Sequence, residues 1–458
     1  MKLAVIIFLF ILGIFLFSWN IHKASKDMPV PIPAYKQRSG DVSKGYDYLI
    51  TGDYLKSGIP LTFYRLGYKK DTMDLHRTGA NKNVTYSFTV VNAPNGEKVV
   101  APNCLQCHAQ LFDGKLIVGL GNTLTDFTDN RASVVRFAEK ALQSNKANIA
   151  KYEAAKSFID AIKAVSPQLV VPVRGVNIAD RLASLLAAHR DPVTFAWNED
   201  AKIKVPVNVI PTDVPAWWLL KKKNAMFYGG FGRGDFGRFL MASNLLTVKD
   251  TSEAREVDSH FNDVLAYLLS IEPPKYPGKI NGELAKEGNT VFVQNCSGCH
   301  GTYGADGVYP NLLIPGSVIQ TDPLLYSANY SSPQFLNWFN RSWFTTGDHP
   351  AQLVPFRGYI APPLDGVWIT APYLHNGSVP DLESLLNSKH RPKFWSRNFD
   401  LPTYDYENIG YTYKTESQAI NISTYNTKLP GYSNSGHLFG DKLSVKERSA
   451  VIEYLKTL

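Results

Sequence analysis

All four cysteines of this chain belong to two pentapeptides of the same pattern, and this pattern limits what the chain can become. Cys-x-x-Cys-His occurs at residues 104–108 and again at 296–300. Two thiols at this spacing can add across the two vinyl groups of one haem, while the adjacent imidazole binds the iron. The sequence therefore predicts two covalently bound haem c groups. The predicted haem-binding residues are Cys104, Cys107, His108, Cys296, Cys299 and His300.

Structural zinc is the alternative use of paired cysteines, because four thiolates can hold one zinc ion. A shared zinc site would require the two pairs, which lie far apart in the chain, to converge. It would also leave the histidine that follows each pair without a role. We therefore favour haem, with His108 and His300 as iron ligands.

The N-terminus carries a hydrophobic segment. Lys2 precedes an uncharged run over residues 3–19, and basic residues follow it. The run is long for the core of a signal peptide and slightly shorter than the ~20 residues of a membrane-spanning helix. No small-x-small cleavage site follows at the usual distance, so residues 1–26 are predicted to be a signal anchor, with a cleaved signal peptide as the alternative. Either places the body in the periplasm or elsewhere outside the cytoplasm, and an uncleaved segment would hold it at the inner membrane.

Prolines mark two breaks in the chain. They alternate with other residues within 27–40, which predicts a stiff linker. Three more cluster within 273–280 and predict a domain boundary. The net charge is +8, but predicted export removes nucleic acid as a partner. The resulting domains are an N-terminal haem domain with the active site over 41–272 and a C-terminal cytochrome c domain over 281–458.

Apolar residues recur at helical spacing in several stretches. Ser444 and Glu447 form a capping-box pattern at the start of the last stretch. The last two stretches resemble the crossing helices of a class-I cytochrome c, in which Gly288 would permit close approach next to Tyr454. The predicted fold is mainly α, with two cytochrome c-like haem domains, long loops and few strands, after an N-terminal hydrophobic helix. The helical stretches are 130–166, 177–190, 258–271, 284–295 and 444–458.

The second haem needs a sixth ligand. In the cytochrome c fold this ligand lies in the loop before the C-terminal helix and is usually methionine. The methionines are at positions 1, 28, 73, 226 and 241, so none follows His300. His437 lies in that loop, which predicts His300 and His437 as the two ligands of a closed iron. The alternative haem-binding residues in this domain are His375, His390 and, more remotely, His349.

One segment makes a family recognisable. Residues 371–380 read Ala-Pro-Tyr-Leu-His-Asn-Gly-Ser-Val-Pro, and this resembles the signature that follows the second haem in bacterial dihaem cytochrome c peroxidases and their relatives. More of the chain is similar to the rubber oxygenase branch of that superfamily, the latex-cleaving dihaem dioxygenases. The segments that carry this closer resemblance are 45–49, 52–60, 103–109, 214–218, 221–228, 391–393 and 436–440.

The resemblance implies a division of labour between the haems. The first, on His108, would be the reactive centre with an open distal face, and the second would store and relay electrons. A tryptophan lies between the haems in this superfamily, and Trp217 or Trp218 is the matching residue, with plain core packing as the alternative. Phe227 or Phe231 would line an apolar distal pocket that suits dioxygen.

The sequence departs from the family pattern in two ways. The chain is shorter than typical rubber oxygenases, which argues against naming polyisoprene as its substrate. We also identify no distal glutamate of the kind that assists peroxide cleavage in the peroxidases. Calcium lies between the haem domains of some relatives, but the acidic and amide side chains here are too dispersed to identify ligands for it.

These patterns predict an exported oxidoreductase that activates dioxygen or peroxide at the first haem and relays electrons through the second. Its electrons would come from a small redox protein or the membrane pool, and its substrate would be an apolar small molecule or peroxide. The alternative is an electron-transfer cytochrome whose first haem is also closed. A haem-based sensor has the least support, because the sequence shows no output domain. The residues that could close the first haem are His76, His189, His260, Met226 and Met241.

Overall fold

The computed structural model describes residues 28–67, 73, 75–206 and 208–458. The expected N-terminal anchor, residues 1–26, lies outside the described residues. Helices make up 41% of the described residues and strands 13%, in agreement with a mainly α fold. Within the described ranges, no helix is both long and apolar enough to cross a membrane.

The helices are mostly short, and loops of comparable length join them. Helices of the 3-10 type occur at Gly79–Asn83, Lys146–Asn148, Ser166–Gln168, Trp217–Lys222, Met241–Leu246, Trp343–Thr345, Val367–Ile369, Ser388–His390 and Leu438–Gly440. The α-helices are α1 Val42–Thr51, α2 Leu61–Gly67, α3 Leu105–His108, α4 Ala132–Gln143, α5 Ile149–Val165, α6 Ala179–Ala188, α7 Phe236–Leu240, α8 Thr251–Ser270, α9 Gly282–Asn295, α10 Ser297–His300, α11 Gly316–Ile319, α12 Leu324–Ser331, α13 Gln334–Phe339, α14 Leu382–Leu386 and α15 Val445–Leu455.

The strands form small antiparallel sheets instead of one large sheet. Their orders are β1-β8-β10, β2-β4-β3, β5-β6, β7-β9, β12-β13 and β14-β11-β15. The strands are β1 Val30–Pro31, β2 Ile59–Pro60, β3 Phe88–Asn92, β4 Lys98–Pro102, β5 Ala109–Phe112, β6 Lys115–Val118, β7 Gly232–Gly234, β8 Leu312–Pro315, β9 Ala351–Leu353, β10 Gly358–Ile360, β11 Phe394–Arg397, β12 Tyr404–Asp405, β13 Gly410–Tyr411, β14 Tyr413–Thr415 and β15 Thr424–Asn426.

Helix caps explain where the helices begin and end relative to the sequence pattern. The stretch 130–166 divides into α4 and α5, because the Asn145 side chain accepts a hydrogen bond from the backbone of Ala147 and starts a 3-10 turn. Helix α8 begins before residue 258, since Asp250 caps the backbone N–H groups of its first turn. The capping box of Ser444 and Glu447 is confirmed at the start of α15.

Helices α9 and α15 cross closely, as the glycine in α9 predicts. A Cβ atom at Gly288 would overlap the carbonyl oxygen of Ala450 in α15. One turn further along α9, the ring of Phe292 lies 5.2 Å from that of Tyr454. The crossing therefore depends on a residue without a side chain at position 288.

The segment predicted to be a linker lies against the body of the protein. Val30 and Pro31 pair with β8, and Ile32 is buried. The Arg38 guanidinium forms ion pairs with Asp235 and Asp258 at 2.8 and 2.7 Å. Residues 28–40 are thus a packed strap whose contacts the alternating prolines do not reveal.

The two largest hydrophobic cores exchange residues across the predicted boundary at 273–280. The first core, around Phe261 of α8, also holds Trp338, Phe339 and Phe344 from the C-terminal half. The second core, around Phe292, Trp368 and Tyr454, also holds Phe112, Trp218 and Leu219 from the N-terminal half. The halves that carry the two pentapeptides are therefore packed into each other.

Candidate haem sites

The first pentapeptide is a single helical turn held between strands. The carboxamide oxygen of Asn103 accepts a hydrogen bond from the backbone of Leu105 at 3.0 Å and so starts the turn. Tyr54, whose side chain is buried, accepts another from the backbone of Cys104 at 3.1 Å. Both thiols lie on this turn as unpaired cysteines. The local sequence thus presents Cys104, Cys107 and His108 on one short, fixed element.

His108 stacks against a tryptophan. Its ring centroid lies 4.5 Å from that of Trp217, with an angle of 15° between the planes. Nδ1 of His108 and Nε1 of Trp217 are both buried, and neither has a hydrogen-bond partner in the part of the chain that the structure describes. Burial lowers the pKa of His108 to about 3, so the imidazole is neutral at physiological pH. A neutral imidazole is the form that binds a metal ion.

Both pentapeptide histidines are partly accessible residues, and burial lowers the pKa of each imidazole. Each follows directly on a pair of free thiols. Two free thiols and a neutral imidazole are the groups that attach and ligate a haem c, and these residues therefore fit covalent haem. Within the described residues, no three side chains of His, Cys, Asp and Glu form a metal site by themselves.

The second pentapeptide follows directly from α9. The side chain of His300 lies 2.8 Å from the carbonyl oxygen of Pro362 through its Nδ1. Because a carbonyl oxygen only accepts hydrogen bonds, Nδ1 must carry the proton. Nε2 then keeps a free electron pair that can bind a metal. Gly301 leaves the turn with a φ of +82°, which places the chain against Val308. The histidine is therefore oriented for a metal on its Nε2 side.

The structure brings His437 opposite His300. The ring centroids are 6.2 Å apart, with 60° between the planes. Two imidazoles bound to opposite sides of one metal, each with a metal–nitrogen distance of about 2 Å, have a similar separation. Burial first, and the nearby His300 second, lower the pKa of His437 to about 3. The pair thus has the spacing and the neutral charge of two axial ligands.

The loop that carries His437 has a left-handed backbone. Gly436 and His437 have φ values of +74° and +49°. A Cβ at Gly436 would overlap the backbone at Gln320 and Thr321, and the backbone N–H of His437 donates to Ile319 at 2.7 Å. These contacts turn the chain sharply just before His437.

Arg391 holds the same loop from the other side. Its guanidinium donates hydrogen bonds to backbone carbonyls at 2.6 to 3.1 Å, and it thereby joins α14 to the His437 loop. Burial lowers the pKa of Arg391. The sequence placed this residue in one of the segments that resemble the rubber oxygenase branch but gave it no role, because its loop partners lie more than 40 residues further along the chain. The accepting carbonyls belong to Ser384, Leu385, Asn434, Gly436 and His437.

The other histidines proposed for the second iron lie elsewhere. His375 stacks on Tyr359 with centroids 4.2 Å apart, and its Nε2 is 3.1 Å from the Tyr359 hydroxyl. His390 is exposed and pairs with Glu383 at 2.8 Å, and His349 is also exposed. The structure therefore brings His437, and not these three residues, to His300.

Two of the histidines proposed to close the first iron stack on other aromatic rings, and the two methionines lie in the first core. His189 stacks on Trp197 with centroids 5.0 Å apart. His260 is exposed and stacks on Tyr48. Met241 is fully buried, and Met226 lies in the same core as Trp217.

Trp217 and Trp218 are adjacent in the chain but enter different cores. Trp217, on the His108 side, belongs to the first core, and Trp218 belongs to the second. Nε1 of Trp218 donates to the carbonyl of Asp365 at 2.8 Å. Asp365 follows shortly after Pro362, the partner of His300. The tryptophan pair therefore joins the surroundings of the two pentapeptide histidines.

Phe227 and Phe231 are stacked with centroids 4.8 Å apart. Phe227 has a φ of +68°, an uncommon conformation for an aromatic residue. Phe231 lies in the same core as Trp217 and borders a cavity of about 90 Å³. The two rings thus form part of a largely apolar wall in the half of the protein that carries His108.

A partly buried acid, Asp213, lies near this wall and was missed at the sequence level. The Tyr228 hydroxyl donates to Asp213 at 2.8 Å, and the backbone of Asp213 donates to the carbonyl of His375. Burial raises the pKa of Asp213 to about 7, although Tyr228 and the charge of Arg397 oppose the shift. The sequence gives no signal for this raised pKa, because Asp213 is a single aspartate in a loop.

Comparison with known proteins identifies one matching family model and two similar proteins. Residues 358–396 match the family described as RoxA-like, cytochrome c-like. The chain is similar to the uncharacterised proteins y4iJ and y4iM of Sinorhizobium fredii (strain NBRC 101917 / NGR234). It is 28% identical to y4iJ over 256 residues, which cover 42% of each protein. It is 27% identical to y4iM over 268 residues, which cover 53% of this chain and 60% of y4iM.

The chain spans about half the length of the curated relatives it matches. The segment that matches the family model includes Pro362, which contacts His300, and Arg391, which contacts the His437 loop. A cytochrome c-like domain implies covalent haem c with its iron. The match therefore supports a c-type cytochrome related to RoxA, with a haem-based redox function.

Proposed function

We propose that this protein is an exported dihaem oxidoreductase that activates dioxygen or peroxide at the haem of His108 and relays electrons through the haem of His300. One observation carries the proposal: the two pentapeptide histidines face different surroundings. His300 has a second imidazole at 6.2 Å, whereas His108 has a stacked tryptophan at 4.5 Å. A bis-histidine iron is closed to small molecules, and an iron with one protein ligand is open to them.

Bound haem would supply the redox chemistry of dioxygen or peroxide. The chain's own residues have supporting roles. Cys104 and Cys107 would attach the first haem, and burial keeps His108 neutral as its ligand. Phe227 and Phe231 would contribute an apolar wall near the first haem, which suits an apolar substrate.

The tryptophan pair supports electron relay between the two sites. Trp217 contacts His108, and Trp218 reaches Asp365 in the segment that also contacts His300. The path thus consists of aromatic rings, hydrogen bonds and two stretches of backbone, from Trp217 to Trp218 and from Pro362 to Asp365. Electrons would enter from a small redox protein or the membrane pool, with the body in the periplasm.

A second function is favoured by one feature of the first core. Met226 and Met241 both belong to that core, together with Trp217. A thioether is a common axial ligand in electron-transfer cytochromes. If either methionine closed the first iron, the protein would be an electron carrier without chemistry of its own.

Low-temperature EPR and optical spectra of the purified full-length protein distinguish the two functions. Cyanide, peroxide and dioxygen are added separately. We expect one high-spin ferric signal that responds to the ligands and one low-spin signal that does not. His108→Ala should remove the responsive species, and His437→Ala should change only the inert one. Two low-spin signals that ignore all three ligands would exclude the oxygen-activating function and leave the electron carrier.

A further inference from the structure

A largely apolar cavity of about 90 Å³ lies beside Phe231. It is bordered by α6, α12 and α13, and by part of the segment before residue 211. Its apolar wall includes Leu325, Phe335 and Leu336. For comparison, an enclosed apolar cavity of ~150 Å³ holds benzene. This space therefore suits one end of a small aliphatic molecule.

One wall of the cavity carries a buried cation, Arg181 of α6. The residue is 6% exposed. Its guanidinium contacts Gln168 through hydrogen bonds of 3.3 and 3.4 Å, which are long and involve only neutral oxygens. Its Nη1 is buried, with no hydrogen-bond partner among the described residues. Burial lowers its pKa, and no described carboxylate offsets the effect.

A buried guanidinium without a counter-charge is unfavourable, because desolvation of the charge is not compensated. The group that best satisfies it is a carboxylate, which can accept two parallel hydrogen bonds from an arginine. Asp180 precedes Arg181 and also borders the cavity, but the two residues form no ion pair in the described part of the chain. Because no described carboxylate pairs with Arg181, a carboxylate of a bound molecule is the matching acceptor.

We propose that Arg181 binds the carboxylate of an apolar molecule whose chain lies along Phe231, Phe335 and Leu336. This inference rests on the proposed function, since Phe231 belongs to the wall assigned to the first haem site. A free aliphatic carboxylate and a propionate of the first haem offer the same chemistry. The substrate or product class of the first site would then be an aliphatic chain with an oxidised end.

Calorimetry on the full-length holoprotein tests the free ligand with hexanoate as the probe and hexan-1-ol as its neutral counterpart. Hexanoate should bind the wild type more tightly than hexan-1-ol and bind Arg181→Met about 10- to 100-fold more weakly, as expected for a charge-assisted contact. Ser184→Ala is the matched control in the same helix and the same cavity wall, and it should bind hexanoate like the wild type. Asp180→Asn should bind it more tightly, because a negative charge is removed.

The midpoint potentials of the two haems, measured without any added ligand, distinguish the source of the carboxylate. If a haem propionate occupies Arg181, hexanoate will not bind, and Arg181→Met will shift one midpoint potential while Ser184→Ala will not. Either pattern supports the site. The inference is overturned if Arg181→Met, folded as shown by its circular dichroism, matches the wild type in both hexanoate binding and potentials.

These outcomes are independent of the cyanide test of the first iron. Failure of cyanide to bind, with hexanoate still dependent on Arg181, would remove the oxygen-activating function and keep the carboxylate site. If cyanide binds but Arg181→Met changes neither hexanoate binding nor the potentials, the oxygen-activating function is kept and the carboxylate site is removed.

Discussion

The two Cys-x-x-Cys-His segments have the same chemistry but different surroundings. The first is a turn between strands, with His108 stacked on Trp217. The second follows a long helix, and a loop brings His437 to the opposite side of His300. In the proposed dihaem protein, each pentapeptide would determine only that haem is attached. The residues that approach the iron from distant segments would determine whether that iron binds small molecules.

The largest effect is expected from His437→Ala, which removes the feature that distinguishes the second site from the first. His437→Ala should convert the inert low-spin haem to a high-spin form that binds cyanide, because the second imidazole is lost. EPR before and after cyanide addition measures the change. His390→Ala, at an exposed histidine in the same half, should leave both spectra unchanged. An unaltered low-spin signal in His437→Ala would mean that another residue closes this iron.

The next largest effect is expected from a substitution that disrupts the crossing of α9 and α15, which supports the second site and not the first. Gly288→Ala places a methyl group on the carbonyl of Ala450, and we expect a loss of about 2–4 kcal/mol in the free energy of unfolding. Urea denaturation followed by circular dichroism measures it. Gly282→Ala, in the same helix with free space around the added carbon, is the control and should change stability little. Equal effects of the two substitutions would contradict the close crossing.

Loosening the His437 loop without removing the ligand should have an intermediate effect. Arg391→Met deletes the hydrogen bonds that join α14 to this loop. We expect a minor fraction of high-spin second haem and slow cyanide binding, both reversed by added imidazole. Arg448→Met removes an arginine that contacts one backbone carbonyl, that of Leu443, and should bind no cyanide at this haem. If Arg391→Met is as inert as that control, the loop holds its shape without Arg391.

The smallest effect concerns the acid between the two halves. The pKa of Asp213 rises from 3.8 to about 7 on folding, so the folded state binds the extra proton more tightly. Its contribution to stability is complete below pH 4 and is lost as the pH rises through about 7. Asp213→Asn should therefore have a shallower decline of stability between pH 5 and 7.5 and be more stable than the wild type at pH 8. Parallel pH profiles for the two proteins would contradict the raised pKa.

Local patterns predicted the local features well. The helical periods, the Ser444 cap and the small residue at 288 depend on neighbours a few positions away, so the sequence displays them. His437 was placed by its position before the last helix, and the structure brings it to His300. That His437 binds the iron is a prediction, which His437→Ala tests.

Features that depend on distant segments could not be predicted. Arg391 contacts a loop more than 40 residues away, and the strap over 28–40 pairs with a strand almost 300 residues further along. The proposed division into 41–272 and 281–458 follows the prolines but not the cores. Trp338 and Trp218 each pack in the half to which they do not belong in sequence. No periodicity signals such an exchange.

The core residues that the two halves exchange couple the unfolding of one half to that of the other. Neither half can lose its structure without exposing large aromatic side chains that the other half buries. Heating or denaturant should therefore release both haem environments in one cooperative transition. A protease that cuts the proline-rich segment at 273–280 should leave two fragments that stay together. The two proposed haem sites would thus share a single unfolding event, although each would have its own iron and its own ligands.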